Sequence, residues 1–160
     1  MSFARDIVDR ASAAGIIIAT AESCTGGMIS AAITDIAGSS RVLDRGFVTY
    51  SNEAKMDMLG VSAETLNTHG AVSEQVASEM AAGALKHSNA TLSVSVTGIA
   101  GPGGSDFKPE GRVCFGIATK HGVETQQIDL GPLGRMGVRN ATVAYALGLL
   151  LEKLQNRSIA

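Results

Sequence analysis

The stretch "IIIATAESCTGG", residues 16–27, joins a continuous apolar run to a turn with two adjacent glycines. The run "IIIATAE" (16–22) is short and apolar almost throughout, which is typical of a strand buried on both faces. After the glycines, "MISAAITDI" (28–36) has the apolar spacing of a helix. A buried strand, a tight turn and a helix in this order predict an α/β fold.

The rest of the chain continues this alternation. "FARDIVDRASAAG" (3–15) has apolar residues at helical spacing and ends at a glycine, which predicts a first helix. Two of the later predicted strands form a hairpin and are therefore antiparallel, whereas strands joined through helices are parallel. We expect one three-layer α/β/α domain with a mixed sheet over residues 1–160. The other predicted elements are a strand at 46–51, a short helix at 52–59, a helix from an N-cap at Ser73 to about Leu85, a strand at 91–98, a hairpin of 112–120 and 123–130 around His121-Gly122, and a last helix from about Leu133 to Leu154 with Val138, Ala141, Ala144, Tyr145, Leu147 and Leu151 on one side.

Composition excludes several classes of protein. The 160 residues are 45% hydrophobic with a net charge of −2 and no basic cluster, which argues against nucleic acid as a partner. No apolar run approaches the length of a membrane span, and the N-terminal residues lack the apolar core of a signal peptide. We therefore expect a cytoplasmic protein without a membrane partner, with Cys24 and Cys114 reduced. The small size and the apolar last helix favour a homo-oligomer.

The turn after the first strand is the first candidate site. Ser23 lies where the strand ends, and open α/β sheets bind ligands at the carboxyl ends of their strands. The helix start predicted near Gly26 offers backbone N–H groups and a positive dipole end that could hold an oxyanion. Gly26 and Gly27 would let a substrate approach the backbone closely. The alternative is that Ser23 or Thr25 only caps the helix.

A serine nucleophile needs a base. Among the histidines, His87 and His121 fall near a helix end and a hairpin turn, whereas His69 lies in a loop, "NTHGAVS", that could reach a site. Lysine also activates serine when burial or a nearby cation lowers its pKa. Lys55 follows a predicted strand and lies on the short helix after it. The spacing leaves open whether Lys55 is this base or an ordinary surface lysine.

Other chemistry is less well supported. Cys24 is the rival nucleophile, because a helix N-terminus activates a thiol, yet no histidine or lysine adjoins it in sequence. The loop "TGIAGPGG" (97–104) could turn backbone N–H groups toward an anion, but it lacks the Gly-Lys-Ser/Thr ending of a P-loop. No cluster of histidine, cysteine or acidic residues has metal-ligand spacing, so we expect neither a metal nor a cofactor.

Five motifs follow one another along the chain: "TAESCTGG" (20–27), "DIAGSS" (35–40), "GFVTYSNEAK" (46–55), "HGAVSE" (69–74) and "SVTGIAGPGG" (95–104). In this order and spacing they resemble the CinA C-terminal domain family, and the resemblance covers about Phe3 to Leu154. It implies a nicotinamide-nucleotide amidase (an NMN deamidase), which hydrolyses the carboxamide of nicotinamide mononucleotide (NMN) to nicotinate mononucleotide and ammonia. It also implies a serine/lysine mechanism without a metal and a role in recycling pyridine nucleotides.

The resemblance assigns roles to particular residues. It implies that Ser23 is the nucleophile and Lys55 the general base, and that Arg139, just before an Ala-Thr pair, contacts the 5′-phosphate or helps to keep Lys55 deprotonated. Tyr50 and Asn52 could orient Lys55 or bind substrate, or else only pack the strand and cap the helix. The remaining expectations are an oxyanion site at Thr25, Gly26 and Gly27, and ribose-phosphate contacts from Thr97, Gly98 and Gly101 in the 97–104 loop.

Two other functions stay open. Family members are named for competence and DNA-damage induction, so a non-catalytic, nucleotide-binding regulatory module is one alternative. An amidase that depends on Cys24 is the other. An amidase could also act on a different pyridine or nucleotide carboxamide.

Overall fold

The computed structural model describes residues 2–105 and 107–156. In that part of the chain, five strands form one sheet in the order β2-β1-β3-β4-β5. The two neighbours of β1 run parallel to it, whereas β3 with β4 and β4 with β5 are antiparallel pairs. The predicted mixed sheet is therefore confirmed. The strands are β1 Ile18–Glu22, β2 Leu43–Val48, β3 Leu92–Gly98, β4 Arg112–Thr119 and β5 Gly122–Asp129.

Helices cover both faces of the sheet. One layer packs α1, α2 and α6 over a large apolar cluster that includes Ile7, Ile29 and Leu150. A smaller cluster around Leu59 and Met80 lies under the helices of the other layer. The predicted three-layer α/β/α domain is thus confirmed. The helices are α1 Phe3–Ala14, α2 Met28–Thr34, α3 Asn52–Leu59, α4 Ala63–His69, α5 Glu74–Lys86 and α6 Arg135–Asn156, with a 3-10 turn at Ser39–Arg41.

Serine caps fix the start of the helices that surround the site. The Ser51 hydroxyl accepts a hydrogen bond from the N–H of Ala54, and the Ser73 hydroxyl accepts one from the N–H of Val76. Each bond satisfies one of the backbone donors that a helix N-terminus leaves without an intrahelical partner. Because Ser51 begins α3, it also decides that Lys55 lies one turn into that helix.

Three details of the prediction were wrong. The second strand ends at Val48, so the segment 49–51 connects β2 to α3 instead of extending the strand. The helix α4 was missed because it has seven residues and only Leu66 among them is buried, which leaves no apolar period to detect. On α6, Ala144 is exposed, and the buried face instead includes Thr142 and Ala146.

Membrane spans were sought in the same part of the chain, 2–105 and 107–156. None of its helices combines the length and the apolar character that crossing a bilayer requires.

Candidate active site

The sheet topology brings Ser23 and Lys55 together. Ser23 follows the last residue of β1, and Lys55 lies in α3, which comes just after β2. Because β1 and β2 are parallel neighbours, their carboxyl ends meet at the same edge of the sheet. The Nζ atom of Lys55 lies 2.9 Å from the Oγ atom of Ser23, within hydrogen-bonding distance. Two residues that are 32 positions apart in sequence therefore form a contact that can transfer a proton.

Lys55 is a buried lysine with no carboxylate among its hydrogen-bond partners. Its residue is only 1% exposed, and its Nζ also donates to the backbone oxygens of Thr49 at 3.0 Å and Tyr50 at 3.1 Å. Burial lowers the pKa of Lys55 from 10.5 to about 8. At pH 7 about a tenth of the side chains would then be neutral. With two N–H groups held by carbonyl oxygens, the lone pair of the neutral amine can face the Ser23 hydroxyl.

Glu22, which the sequence analysis did not name, holds the turn between β1 and α2 through hydrogen bonds. Its side chain is fully buried at the end of β1. The carboxylate accepts hydrogen bonds from the N–H groups of Ile29 and Ser30 at 2.8 and 3.1 Å, and from the hydroxyls of Thr25 and Ser30. The first turn of α2 therefore gives the N–H groups of Ile29 and Ser30 to a protein carboxylate, so these two groups are not available to an oxyanion. The sequence contained one signal for this role: a glutamate at the end of an apolar strand, shortly before the start of a helix.

The predicted oxyanion residues form the turn itself. The N–H of Gly26 donates to the backbone oxygen of Ser23 at 3.1 Å, and the hydroxyl of Thr25 donates to Glu22. Gly26 and Gly27 have φ angles of 59° and 105°, a region that L side chains rarely adopt. The helix begins at Met28, the first residue of the predicted segment 28–36, and Gly27 is its N-cap. An oxyanion role for Thr25, Gly26 and Gly27 stays a prediction.

Cys24, the neighbour of Ser23, has a raised thiol pKa instead of the lowered one that the sequence led us to expect. Its thiol is buried, and burial raises its pKa from 9.0 to about 11. At neutral pH the side chain is therefore a protonated thiol, which is a poor nucleophile. The expectation that the helix start would activate this thiol was wrong, because burial outweighs that influence. Cys24 and Cys114 are both free cysteines.

Two adjoining cavities open at this edge of the sheet. The smaller, about 180 Å³, is lined by Ser23 and Lys55 together with four predicted residues, Tyr50, Asn52, Thr97 and Gly98. The larger, about 340 Å³, is lined by the glycine-rich loop from Gly98 to Ser105, which includes Gly101. Ala71, Val72, Gly98, Ala100 and Arg135 line both cavities. The predicted substrate-binding residues of the 97–104 loop thus lie next to the serine–lysine pair.

Two arginines of α6 reach the site. Arg139 donates to the backbone oxygens of Cys24 at 3.1 Å and Thr25 at 3.4 Å, so its guanidinium holds the turn that carries Ser23. Arg135 donates to the backbone oxygen of Gly101 at 2.6 Å and to the Tyr50 hydroxyl at 2.8 Å. The sequence analysis named Arg139 but missed Arg135, although both fall within the first turns of one predicted helix.

The histidines lie elsewhere. His69, a candidate for the base, is exposed at the end of α4, where its backbone oxygen accepts a hydrogen bond from Lys108 Nζ at 2.8 Å. His87 follows α5, and His121 lies in the turn between β4 and β5. None of the three lines the cavity in front of Ser23. Within residues 2–105 and 107–156, no three histidine, cysteine or acidic side chains are grouped as metal ligands.

Comparison with known proteins identifies close relatives. The family model described as the CinA C-terminal domain matches residues 1–154. Over 158 residues the chain is 51% identical to the nicotinamide-nucleotide amidohydrolase PncC of Escherichia coli strain K12. The aligned region covers 98% of this chain and 96% of that relative. It is 47% identical to a CinA-like protein of Shewanella pealeana over 91% of its own length, but only 34% of that relative's length.

Solved structures agree with these sequence relationships. The competence/damage inducible protein CihA from Agrobacterium tumefaciens superposes with a TM-score of 0.92 at 52% identity, covering 96% of this chain and 93% of that one. A CinA superfamily protein from Klebsiella pneumoniae gives a TM-score of 0.92 at 37% identity, covering 96% of each chain. The three-layer fold is therefore shared with these proteins.

Proposed function

Since the chain belongs to the CinA C-terminal domain family and is an amidohydrolase, we propose that it hydrolyses the carboxamide of NMN to nicotinate mononucleotide and ammonia. Ser23 is the proposed nucleophile, and Lys55 is the proposed general base. The observation that carries this proposal is the 2.9 Å approach of a buried lysine amine, with a pKa of about 8, to a serine hydroxyl. The proposed catalytic unit is a single domain over residues 1–160, whereas a homo-oligomer and a cytoplasmic location stay predictions from the sequence.

The first half-reaction forms an acyl-enzyme. Neutral Lys55 takes the proton of Ser23 as the hydroxyl oxygen attacks the carboxamide carbon. The tetrahedral intermediate carries a negative oxygen, which backbone N–H groups of the turn after Ser23 would stabilise. Protonated Lys55 then gives its proton to the departing nitrogen, so ammonia leaves and a nicotinoyl ester remains on Ser23. A lysine with a pKa of about 8 suits both steps because it gains and loses a proton near neutral pH.

The second half-reaction hydrolyses the ester. Lys55, neutral again after ammonia has left, takes a proton from a water molecule that attacks the ester carbon. The Ser23 oxygen leaves and recovers its proton from Lys55, which regenerates the starting pair. The overall balance is one water consumed, one carboxylic acid formed and one ammonia released for each substrate molecule.

The two cavities suit the two halves of the nucleotide. The smaller cavity contains Ser23, so the pyridine ring with its carboxamide belongs there, next to Asn52 and Thr97. The ribose phosphate would extend into the larger cavity along the glycine-rich 98–105 loop, whose backbone lacks side chains that would keep an anion away. Thr97 also donates its hydroxyl to the backbone oxygen of Ala71, which ties the loop's strand to the opposite wall.

Arg139 and Tyr50 have supporting roles in this proposal. Arg139 contacts the backbone oxygens on either side of the bond between Cys24 and Thr25, so we assign it to holding the nucleophile's turn rather than to binding phosphate. The backbone oxygen of Tyr50 accepts a hydrogen bond from Lys55, and its hydroxyl oxygen accepts one from Arg135. It thereby connects the proposed base with the rim of the phosphate-side cavity.

Substitution of Ser23 tests the nucleophile. Purified protein should release ammonia from NMN, and Ser23→Ala should lower kcat by at least about 10³-fold because no acyl-enzyme can form. Release of ammonia is followed in a coupled assay, with far-UV circular dichroism and thermal unfolding to compare the folds. Thr34→Ala is the matched control, since it removes an exposed hydroxyl of α2 that donates to the backbone oxygen of Ala31 and does not line the cavity. Undiminished turnover in the Ser23 variant would refute the assignment.

The cysteine alternative predicts the reverse pattern. Cys24→Ala should retain kcat within about threefold, because its thiol is protonated at neutral pH and contributes only packing to the turn. Loss of all activity in a correctly folded Cys24→Ala protein would favour the thiol. A wild-type protein that binds NMN without releasing ammonia would instead favour the regulatory module.

A further inference from the structure

Glu110 connects two segments that border the larger cavity. One carboxylate oxygen accepts a hydrogen bond from the N–H of Gly103 at 2.7 Å, in the glycine-rich loop. The other oxygen accepts one from the N–H of Gly134 at 3.0 Å, immediately before α6. Glu110 itself is half-buried and does not line either cavity at the proposed site. A single carboxylate therefore bridges the loop and the start of the longest helix.

Arg135 also connects the start of α6 to the glycine-rich loop. It is the first residue of α6, next to Gly134, and it donates to the backbone oxygen of Gly101 in the loop and to the Tyr50 hydroxyl. Glu110 thus holds the N–H of Gly103 in the loop and the N–H of Gly134, the residue just before Arg135. Loss of the Glu110 carboxylate would leave the N–H of Gly103 in the loop without this partner.

Packing around Glu110 is tight on the loop side. A Cβ atom added at Gly101 would lie 2.6 Å from the carboxyl carbon of Glu110, too close for any side chain to remain there without movement. Gly101 also has a φ of 86°, which favours glycine. On the helix side, a carboxylate at the N-terminus of a 22-residue helix has a favourable interaction with the helix dipole. The loop conformation and Glu110 are therefore matched to each other.

We propose that Glu110 is a positioning residue that pre-organises the glycine-rich loop for the phosphate monoester of the substrate. This inference rests on the proposed function. A flexible glycine-rich loop must lose conformational freedom before its N–H groups can hold an anion, and that loss weakens binding unless the loop is ordered beforehand. Glu110 orders it without contacting the substrate. The effect should therefore fall on substrates that carry the phosphate.

The charge of Glu110 would act in the opposite direction. A carboxylate near the phosphate repels it, so simple removal of the charge would improve binding. Glu110→Gln and Glu110→Ala both remove the charge, but glutamine keeps one oxygen that can accept from Gly103 or Gly134, whereas alanine keeps none. A comparison of the two variants thus separates positioning from charge.

The steady-state kinetics of both variants would be measured with NMN and with nicotinamide riboside, which lacks the phosphate. We expect KM for NMN to rise about threefold in Glu110→Gln and about tenfold in Glu110→Ala, with kcat within about twofold of wild type. KM for the riboside should not change. Glu124→Gln, an exposed glutamate on β5 that pairs with Lys153, is the matched control.

Equal or lowered KM values for NMN in both Glu110 variants would overturn the inference, as would a matching rise with the riboside. Amide hydrogen exchange gives a readout that does not depend on turnover: the Gly103 and Gly134 amides should exchange faster in Glu110→Ala. Unchanged exchange would overturn the positioning role. If wild type does not turn over NMN at all, the proposed function fails, and the exchange result still decides whether Glu110 orders the loop.

Discussion

Glu22 and Lys55 are both buried ionisable residues near Ser23, but their surroundings are opposite. The carboxylate of Glu22 is surrounded by donors: two backbone N–H groups and two hydroxyls. The amine of Lys55 faces three neutral oxygens, those of Ser23, Thr49 and Tyr50. No carboxylate pairs with Lys55 within the part of the chain that the structure describes.

The difference separates a structural charge from a reactive one. Hydrogen bonds to the charged form and the N-terminus of a helix stabilise a buried carboxylate such as Glu22. Neutral oxygens alone do not repay the desolvation of an ammonium, so the pKa of Lys55 falls to about 8. One residue can hold the turn permanently, whereas the other can exchange a proton near neutral pH.

Removal of the Lys55 amine should give the largest effect. Lys55→Met keeps the length of the side chain but has no proton acceptor, so kcat with NMN should fall by about 10³-fold or more. In wild type, kcat/KM should rise with pH toward a plateau above about 8, since the neutral amine is the active form. Lys86→Met, which changes an exposed lysine, is the control. A Lys55 variant with wild-type turnover, or a flat wild-type profile between pH 6 and 9, would remove the contrast with Glu22.

The same lysine should make stability depend on pH. Between about 8 and 10.5 the folded protein holds Lys55 neutral while the unfolded chain still binds its proton, so Lys55 adds an increment to the free energy of unfolding that grows with pH there. The full increment corresponds to roughly 3 kcal/mol. Burial raises the pKa of the Cys24 and Cys114 thiols from 9.0 to about 11, so these thiols lower the free energy of unfolding as the pH rises above 9 in every variant. Urea unfolding from pH 7 to 10.5 should therefore show the Lys55 increment as a growing difference between Lys55→Met and both wild type and Lys86→Met. Lys55→Met should lack that component, and identical slopes in all three proteins would contradict a buried lysine with a lowered pKa.

A smaller effect is expected at Glu22. Glu22→Gln points an amide N–H₂ at groups that are themselves donors, so the free energy of unfolding should fall by about 1–3 kcal/mol. Urea unfolding at pH 7 measures the loss, and Glu53→Gln, an exposed glutamate in the first turn of α3, is the control. A Glu22 variant as stable as the Glu53 variant would mean that the donor shell around this carboxylate contributes nothing.

Local patterns in the sequence were sufficient for most of the fold. Apolar runs, helical spacing and serine caps gave α1, α5, the hairpin of β4 and β5 and the mixed sheet, because each depends on residues near one another in the chain. The end of β2 and the short helix α4 were wrong or missed. Both have few buried residues, so tertiary contacts rather than periodicity decide them.

The site was predicted less evenly. Ser23 and Lys55 were named from a turn motif and a family resemblance, whereas Glu22, Glu110 and Arg135 were missed. Their hydrogen-bond partners are far away in the sequence or lie at a separation that matches no known motif. Arg135 bonds Tyr50 across 85 positions, and Glu110 bonds Gly134 across 24. Hydrogen bonds of this kind leave no periodic signal in one sequence.

Sequence patterns and the family resemblance were enough to predict the α/β order of elements, the candidate nucleophile and base, and the glycines of the turns. The packing of the folded chain was needed to find that Lys55 is buried against Ser23, that burial raises the pKa of Cys24, and that Glu22 accepts hydrogen bonds from the start of α2. The physical reason is that pKa values and proton-transfer distances depend on desolvation and on neighbours brought together by parallel strands, and a linear order of residues contains neither.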